Sequence, residues 1–144
     1  MTEFEISSDP ARLDIDLIHA FLGATYWAAG RTRETVERSI RNSLCFGVYA
    51  AGGQVAFARV ITDRAVFAYL ADVFVLPAHR GRGISKALVA HIVEHPDLAG
   101  IPVFLLRTRD AHGLYAHFGF EPLRSPEEMM GRYSSPEAEK VEEV

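Results

Sequence analysis

Apolar positions change their spacing several times along this chain. Residues 4–7, Phe-Glu-Ile-Ser, alternate as an edge strand does, and Ser7, Ser8, Asp9 and Pro10 end it. Leu13, Ile15, Leu17, Ile18, Phe21 and Leu22 then recur at mixed three- and four-residue intervals, which predicts a first helix. A loop from Gly23 to Gly30 carries Tyr26 and Trp27, and a second helix is expected from about Thr32 to Asn42. Residues 44–50, 54–62 and 66–75 are β-rich runs joined by connections so short that they demand antiparallel hairpins. Glycines and arginines interrupt the pattern at 80–83, and a helix follows to about His95, where Pro96 stops it. Residues 103–108 read as a strand, 110–118 as a short helix, and 120–123 as the start of a last strand. The order β-α-α-β-β-β-α-β-α-β predicts an α/β (α+β) chain. Its central sheet is mixed and mostly antiparallel, with helices on both faces.

Bulk properties restrict what such a chain does. At 144 residues it fits one domain, expected over 1–130. With 49% hydrophobic and 24% charged residues the composition is globular. The longest apolar runs are too short and too interrupted to span a bilayer, and no basic leader with an apolar segment opens the chain. A cytoplasmic location without membrane association is the expectation. A formal net charge of -4 argues against a nucleic-acid partner. The single cysteine, Cys45, sits in a strand pattern and reads as a small buried hydrophobe. Residues 134–144 hold Glu137, Glu139, Glu142 and Glu143 against Lys140 with almost no large apolar side chain, so a disordered acidic tail is expected over 131–144.

The interruption at 80–83 carries the chemistry. A strand running straight into Arg80, Gly81, Arg82 and Gly83 and then into a helix leaves backbone amides free at a helix N-terminus, which favours an anion such as phosphate. Two familiar phosphate loops do not match. A Walker loop needs glycine before its lysine, where this chain has Ser85 before Lys86, and a dinucleotide fingerprint needs glycine at position 86.

Val75, Pro77 and the run Arg80, Gly81, Arg82, Gly83, Ile84, Ser85 resemble the cofactor loop of the GCN5-related N-acetyltransferase (GNAT) superfamily, with Ser85 standing where glycine or alanine is usual. Downstream, Leu114, Tyr115, Gly119 and Phe120 match that family's second signature, and the order of elements is similar from residue 3 to about 130. The resemblance implies a GNAT-like acyl-CoA N-acyltransferase fold binding acetyl-CoA, with pyrophosphate on the amides of residues 82–86 and Lys86 within that cradle. It also implies that the strand through Val73 and Val75 splays from its neighbour to pair with the pantetheine arm. Thr108 stands where the family often has an asparagine that contacts that arm.

What the resemblance implies about activity is acetyl transfer to the primary amine of a small molecule, by direct attack in a ternary complex. A catalytically idle CoA-sensing module and a protein amine as acceptor are the alternatives. The matching tyrosine, Tyr115, is the group that protonates or holds the leaving thiolate, unless its ring is merely packed. Asp72, in an apolar strand, is either a base raised by desolvation or the partner of Arg59 or Arg107. His112, on a shared helix face with Tyr115, is another base candidate.

Tyr26 and Trp27, followed by Arg31 and Arg33, occupy the segment that lines the acceptor pocket in similar enzymes. Such aromatics hold a cation or an apolar group, such arginines a carboxylate, and the acidic balance leans towards a cationic acceptor. Packing against the sheet or a dimer partner is the bland alternative for the aromatics, and a homodimer is compatible with the family. His91 and His95 fit a zinc-peptidase spacing, but they lie at a helix end with no further acidic ligand motif downstream, so no metal is expected.

Overall fold

A computed structural model of the protein describes residues 3–134. From residue 135 onward, the expected acidic tail lies outside the described residues. Strands β1 (Glu5–Ser7), β2 (Leu44–Ala50), β3 (Gly53–Thr62), β4 (Phe67–Val75) and β5 (Val103–Leu106) form one sheet in sequential order. Neighbours are antiparallel except β4 and β5, which are parallel and therefore need the crossover that helix α3 (Ile84–Glu94) provides. Helices α1 (Ile15–Gly23) and α2 (Arg33–Arg41) precede β2, and the short α4 (His112–Ala116) follows β5. Fold class and mixed sheet agree with the sequence expectation.

Strand alternation explains the layers. Leu44, Phe46 and Val48 of β2 and Ala56, Ala58 and Val60 of β3 join Ile84, Leu88, Val89 and Ile92 of α3 in one core. Burying each of those helix side chains stabilises the packing by roughly 1.5–3 kcal/mol. On the opposite face Cys45, Phe57 and Phe74 pack with Ile18 and Leu22 of α1 and Val36 and Ile40 of α2, pairs spaced four residues apart as a helix stripe requires. On β4 the phase slips. Ala68 and Leu70 belong to the α3 side, and so do Val73 and Val75, so one extra residue has been inserted between them.

The expected strand over 120–123 does not form. Gly119, at φ 91°, turns the chain, and Phe120 sets its ring edge-on to Phe104 at 5.4 Å in place of ladder pairing. Pro122 has no N–H to donate, and Pro126 opens a 3-10 turn, so this segment cannot supply a regular strand. Among the described residues the sheet therefore ends at β5. Val103 is 43% exposed there, and a concavity of about 500 Å³ runs along that edge.

Candidate active site

Helix α3 starts differently from the two helices that precede it. The N-terminus of α1 is capped by Asp14, whose carboxylate accepts the Leu17 N–H, and that of α2 by Thr32, whose hydroxyl accepts the Thr35 N–H. Helix α3 instead begins at Gly83, with no side-chain cap, so its first-turn amides are left for another acceptor. Gly81 and Gly83 have φ of 79° and 78°, a left-handed geometry that costs other residues about 1–2 kcal/mol. A Cβ built on either meets no atom within 4 Å. Between the end of β4 and α3 lies a cavity of about 210 Å³, and Val75, Arg80, Gly81, Gly83, Ile84, Ser85 and Lys86 all line it.

Two further residues complete this cavity and one expected residue leaves it. Leu114 of α4 and His79 line it as well, and the buried His79 Nδ1 has no hydrogen-bond partner. Leu114 belongs to the second signature but was given no part in this loop, and His79 is in the sequence only a neighbour of Arg80. A buried nitrogen left unmet costs about 1–3 kcal/mol, which a ligand or a water recovers. Arg80 folds back so that its Nε donates to the Val75 carbonyl oxygen at 3.0 Å. Arg82 is exposed and is not part of the lining. Open space over two left-handed glycines, uncapped amides and an orphaned nitrogen fit the pyrophosphate end of acetyl-CoA.

Beside this loop the strands part. The β4–β5 ladder runs from Phe67↔Val103 to Leu70↔Leu106, whereas β4 continues against β3 as far as Val75↔Ala56. Residues 71–75 thus lie beyond the β5 pairing, which is the opening expected around Val73 and Val75. Val73 packs half-buried against the α3-side core.

Tyr115 and Thr108 meet in a neighbouring groove of about 350 Å³, which His112 also lines. Tyr115 is 3% exposed, and burial pushes its phenol up to about 12. The Thr108 Oγ1 accepts the Ala111 N–H at 3.1 Å, holding the turn into α4. The loop cavity and this groove are distinct, with Leu114 lining the first and the adjacent Tyr115 the second.

Asp72 is paired, and the base expectation is corrected. Its Oδ2 accepts from Arg31 Nη1 and Arg59 Nε, each at 2.9 Å, and its Oδ1 accepts from Trp27 Nε1 at 3.1 Å. The side chain is fully buried, so both oxygens are committed to the protein and closed to an amine. Arg59 was anticipated from its strand position; Arg31 reaches Asp72 from the loop before α2. Trp27 stands edge-on to Tyr26 at 5.3 Å, and the Arg109 guanidinium lies 4.0 Å over the Tyr26 ring. Arg109 was not a sequence candidate, because nothing local ties the β5–α4 loop to Tyr26.

His91 and His95 each set their rings edge-on to Phe46, at 5.7 and 5.4 Å, and the His95 Nδ1 accepts the Asp97 N–H. Desolvation, then the neighbouring His95, holds His91 below the usual imidazole range. Their spacing serves packing of α3 on β2.

A mixed sheet opened beside an uncapped glycine loop defines the acyltransferase class to which the motifs pointed. The model of the acetyltransferase (GNAT) domain matches residues 41–122, more than half of the chain, and the chain belongs to the GNAT family. A solved structure from Xanthomonas campestris pv. campestris, assigned to GNAT acetyltransferases, is 54% identical with a TM-score of 0.90, covering 92% of this chain and 94% of that one. A Gibberella zeae protein described as an acetyltransferase is 30% identical over 90% of this chain and 85% of its own length. A Clostridium acetobutylicum protein crystallised with acetyl-CoA shares the fold at 16% identity, with a TM-score of 0.65 over 92% of this chain and 96% of that one. No helix among the described residues is long and apolar enough to cross a membrane.

Proposed function

We propose that the protein transfers an acetyl group from acetyl-CoA to the primary amine of a small molecule, by direct attack within a ternary complex. The observation carrying this reading is the junction of the uncapped α3 N-terminus with the stretch of β4 that lies beyond β5. When bound, acetyl-CoA supplies the activated acetyl group and a thiolate leaving group.

The protein's own residues do the rest. Amides of residues 82–86, with Arg80 and Lys86, hold the pyrophosphate; the backbone at Val73 and Val75 aligns the pantetheine arm, with Thr108 at its side. Tyr115 donates a hydrogen bond to the developing thiolate. With its phenol near 12, full proton transfer to a thiolate of about 8.5 is uphill by roughly 5 kcal/mol, so the hydrogen bond is the role it can fill. Deprotonating an alkylammonium at neutral pH costs about 4–5 kcal/mol. His112, exposed in the same groove as Tyr115, is the group we assign to receive that proton. Tyr26 and Trp27 flank the acceptor.

Incubation with acetyl-CoA and a panel of small amines, followed by free-thiol release, tests the reading. Release with at least one small amine is expected. Tight acetyl-CoA binding with silence across a broad panel would sink it and leave the CoA-sensing alternative.

A further inference from the structure

Asp72 combines features that the proposed chemistry leaves unused. Among the described residues, three non-glycine residues adopt positive φ; Ala51 and Arg64 lie in turns, whereas Asp72, at φ 54°, lies inside a strand. Left-handed backbone at a residue with a Cβ costs about 1–2 kcal/mol and persists where the surroundings over-determine it. Here the surroundings are identifiable. The β3–β4 register shifts between Phe57 and Arg59, opposite Asp72, and the β4–β5 ladder has just ended at Leu70.

The side chain at this bulge gathers donors from two other elements. Trp27 and Arg31 come from the loop before α2, and Arg59 comes from β3, where its Nη1 also donates to Ser43 Oγ at 3.2 Å. One buried carboxylate thus fixes both the backbone that opens beside β5 and the loop that carries Tyr26 and Trp27.

We infer that Asp72 is a positioning residue that couples the two halves of the site, so that acetyl-CoA entering beside β4 and the ordering of the 23–32 loop favour one another. The coupling rests on the proposed function for the identity of its two ligands. By linkage, cofactor occupancy then tightens acceptor binding by about tenfold, and the acceptor tightens acetyl-CoA equally.

Trp27 is the sole tryptophan, so its emission reports the loop directly. In the wild-type protein, acetyl-CoA is expected to change that emission with the midpoint found by calorimetry. In Asp72→Asn, acetyl-CoA affinity should stay within about threefold while the emission response disappears and the acceptor KM rises about tenfold at similar kcat. Calorimetric binding without any change in wild-type emission overturns the inference while leaving the acetyltransferase reading intact. So does a fall in kcat at unchanged KM with loss of the acidic limb of the pH profile, since that is the behaviour of a base. A tenfold loss of acetyl-CoA affinity measured without acceptor overturns it too, and no heat with acetyl-CoA sinks it together with the proposed function. Should Asp72→Asn lack a cooperative melt, Arg31→Lys weakens the loop's charged link to Asp72 while keeping Trp27, and should raise acceptor KM about threefold without altering acetyl-CoA affinity. An unchanged KM in that variant counts against the coupling.

Discussion

The two halves of the site are built by opposite means. On the proposed cofactor side a contiguous run from Val75 to Lys86 lines a cavity that Leu114 of α4 completes, and the parts that matter are backbone amides, two left-handed glycines and an absent helix cap. On the proposed acceptor side no run of sequence suffices. Tyr26, Trp27 and Arg31 come from one loop, Arg59 from β3, Asp72 from β4 and Arg109 from beyond β5, and side chains do the joining. A backbone-built half tolerates side-chain change and fails on glycine replacement; a side-chain-built half does the reverse.

Gly83→Val attacks the first half where it is least tolerant. It places a β-branched side chain at φ 78° and in the space a ligand needs, and calorimetry should find acetyl-CoA affinity down about 100-fold. Retained affinity would show that the cradle does not depend on that geometry. Tyr115→Phe sharpens the contrast, because it removes a hydroxyl and leaves the packing. Single-turnover kinetics should give kcat lower by about 10- to 100-fold with acetyl-CoA affinity nearly unchanged.

Alkaline stability compares the cores beneath the two halves. Cys45, in the α1/α2-side core, and Tyr115, in the α3-side core, are both pushed up to about 12 by burial. The folded chain therefore keeps protons that the unfolded chain releases, from its ordinary thiol and phenol values of 9.0 and 10.0 upward. Stability should be intact below pH about 9 and fall as pH rises towards 12. Denaturant titrations of Cys45→Ala should show the loss between pH 8 and 10 reduced by roughly 1 kcal/mol, with little change from Tyr115→Phe until pH is higher. Tyr26→Ala is the mildest intervention. It removes the ring beneath Arg109, worth about 0.5–1 kcal/mol, so steady-state kinetics should show acceptor KM up by roughly two- to fivefold and acetyl-CoA affinity unaffected.

Legibility in the sequence followed the same division. The α1 stripe, the hairpins and the crossover were readable because apolar spacing and connection length declare them, and α2 was readable from its start at Thr32. The glycine loop was readable because its uncapped amides and left-handed glycines are consecutive in the chain. The strand expected at 120–123 was misread, since Phe120 and Leu123 gave it apolar character while Pro122 withheld a donor and Phe120 found a ring partner in Phe104. Asp72 was ambiguous for a related reason. An acid in an apolar strand signals burial, and burial alone does not say whether Arg59 on the next strand and Arg31 in a distant loop wait beside it.

The chain's order of residues determined most of its elements, its glycine-arginine turn and the motifs of the GNAT family, because each depends on neighbours within a few positions. The tertiary structure decided where Asp72 finds its charge partners, how far β5 accompanies β4, and that Arg109 lies over Tyr26. Those outcomes hang on distances between segments far apart in sequence, set by sheet register and by a one-residue bulge that reverses which side chains face which helix.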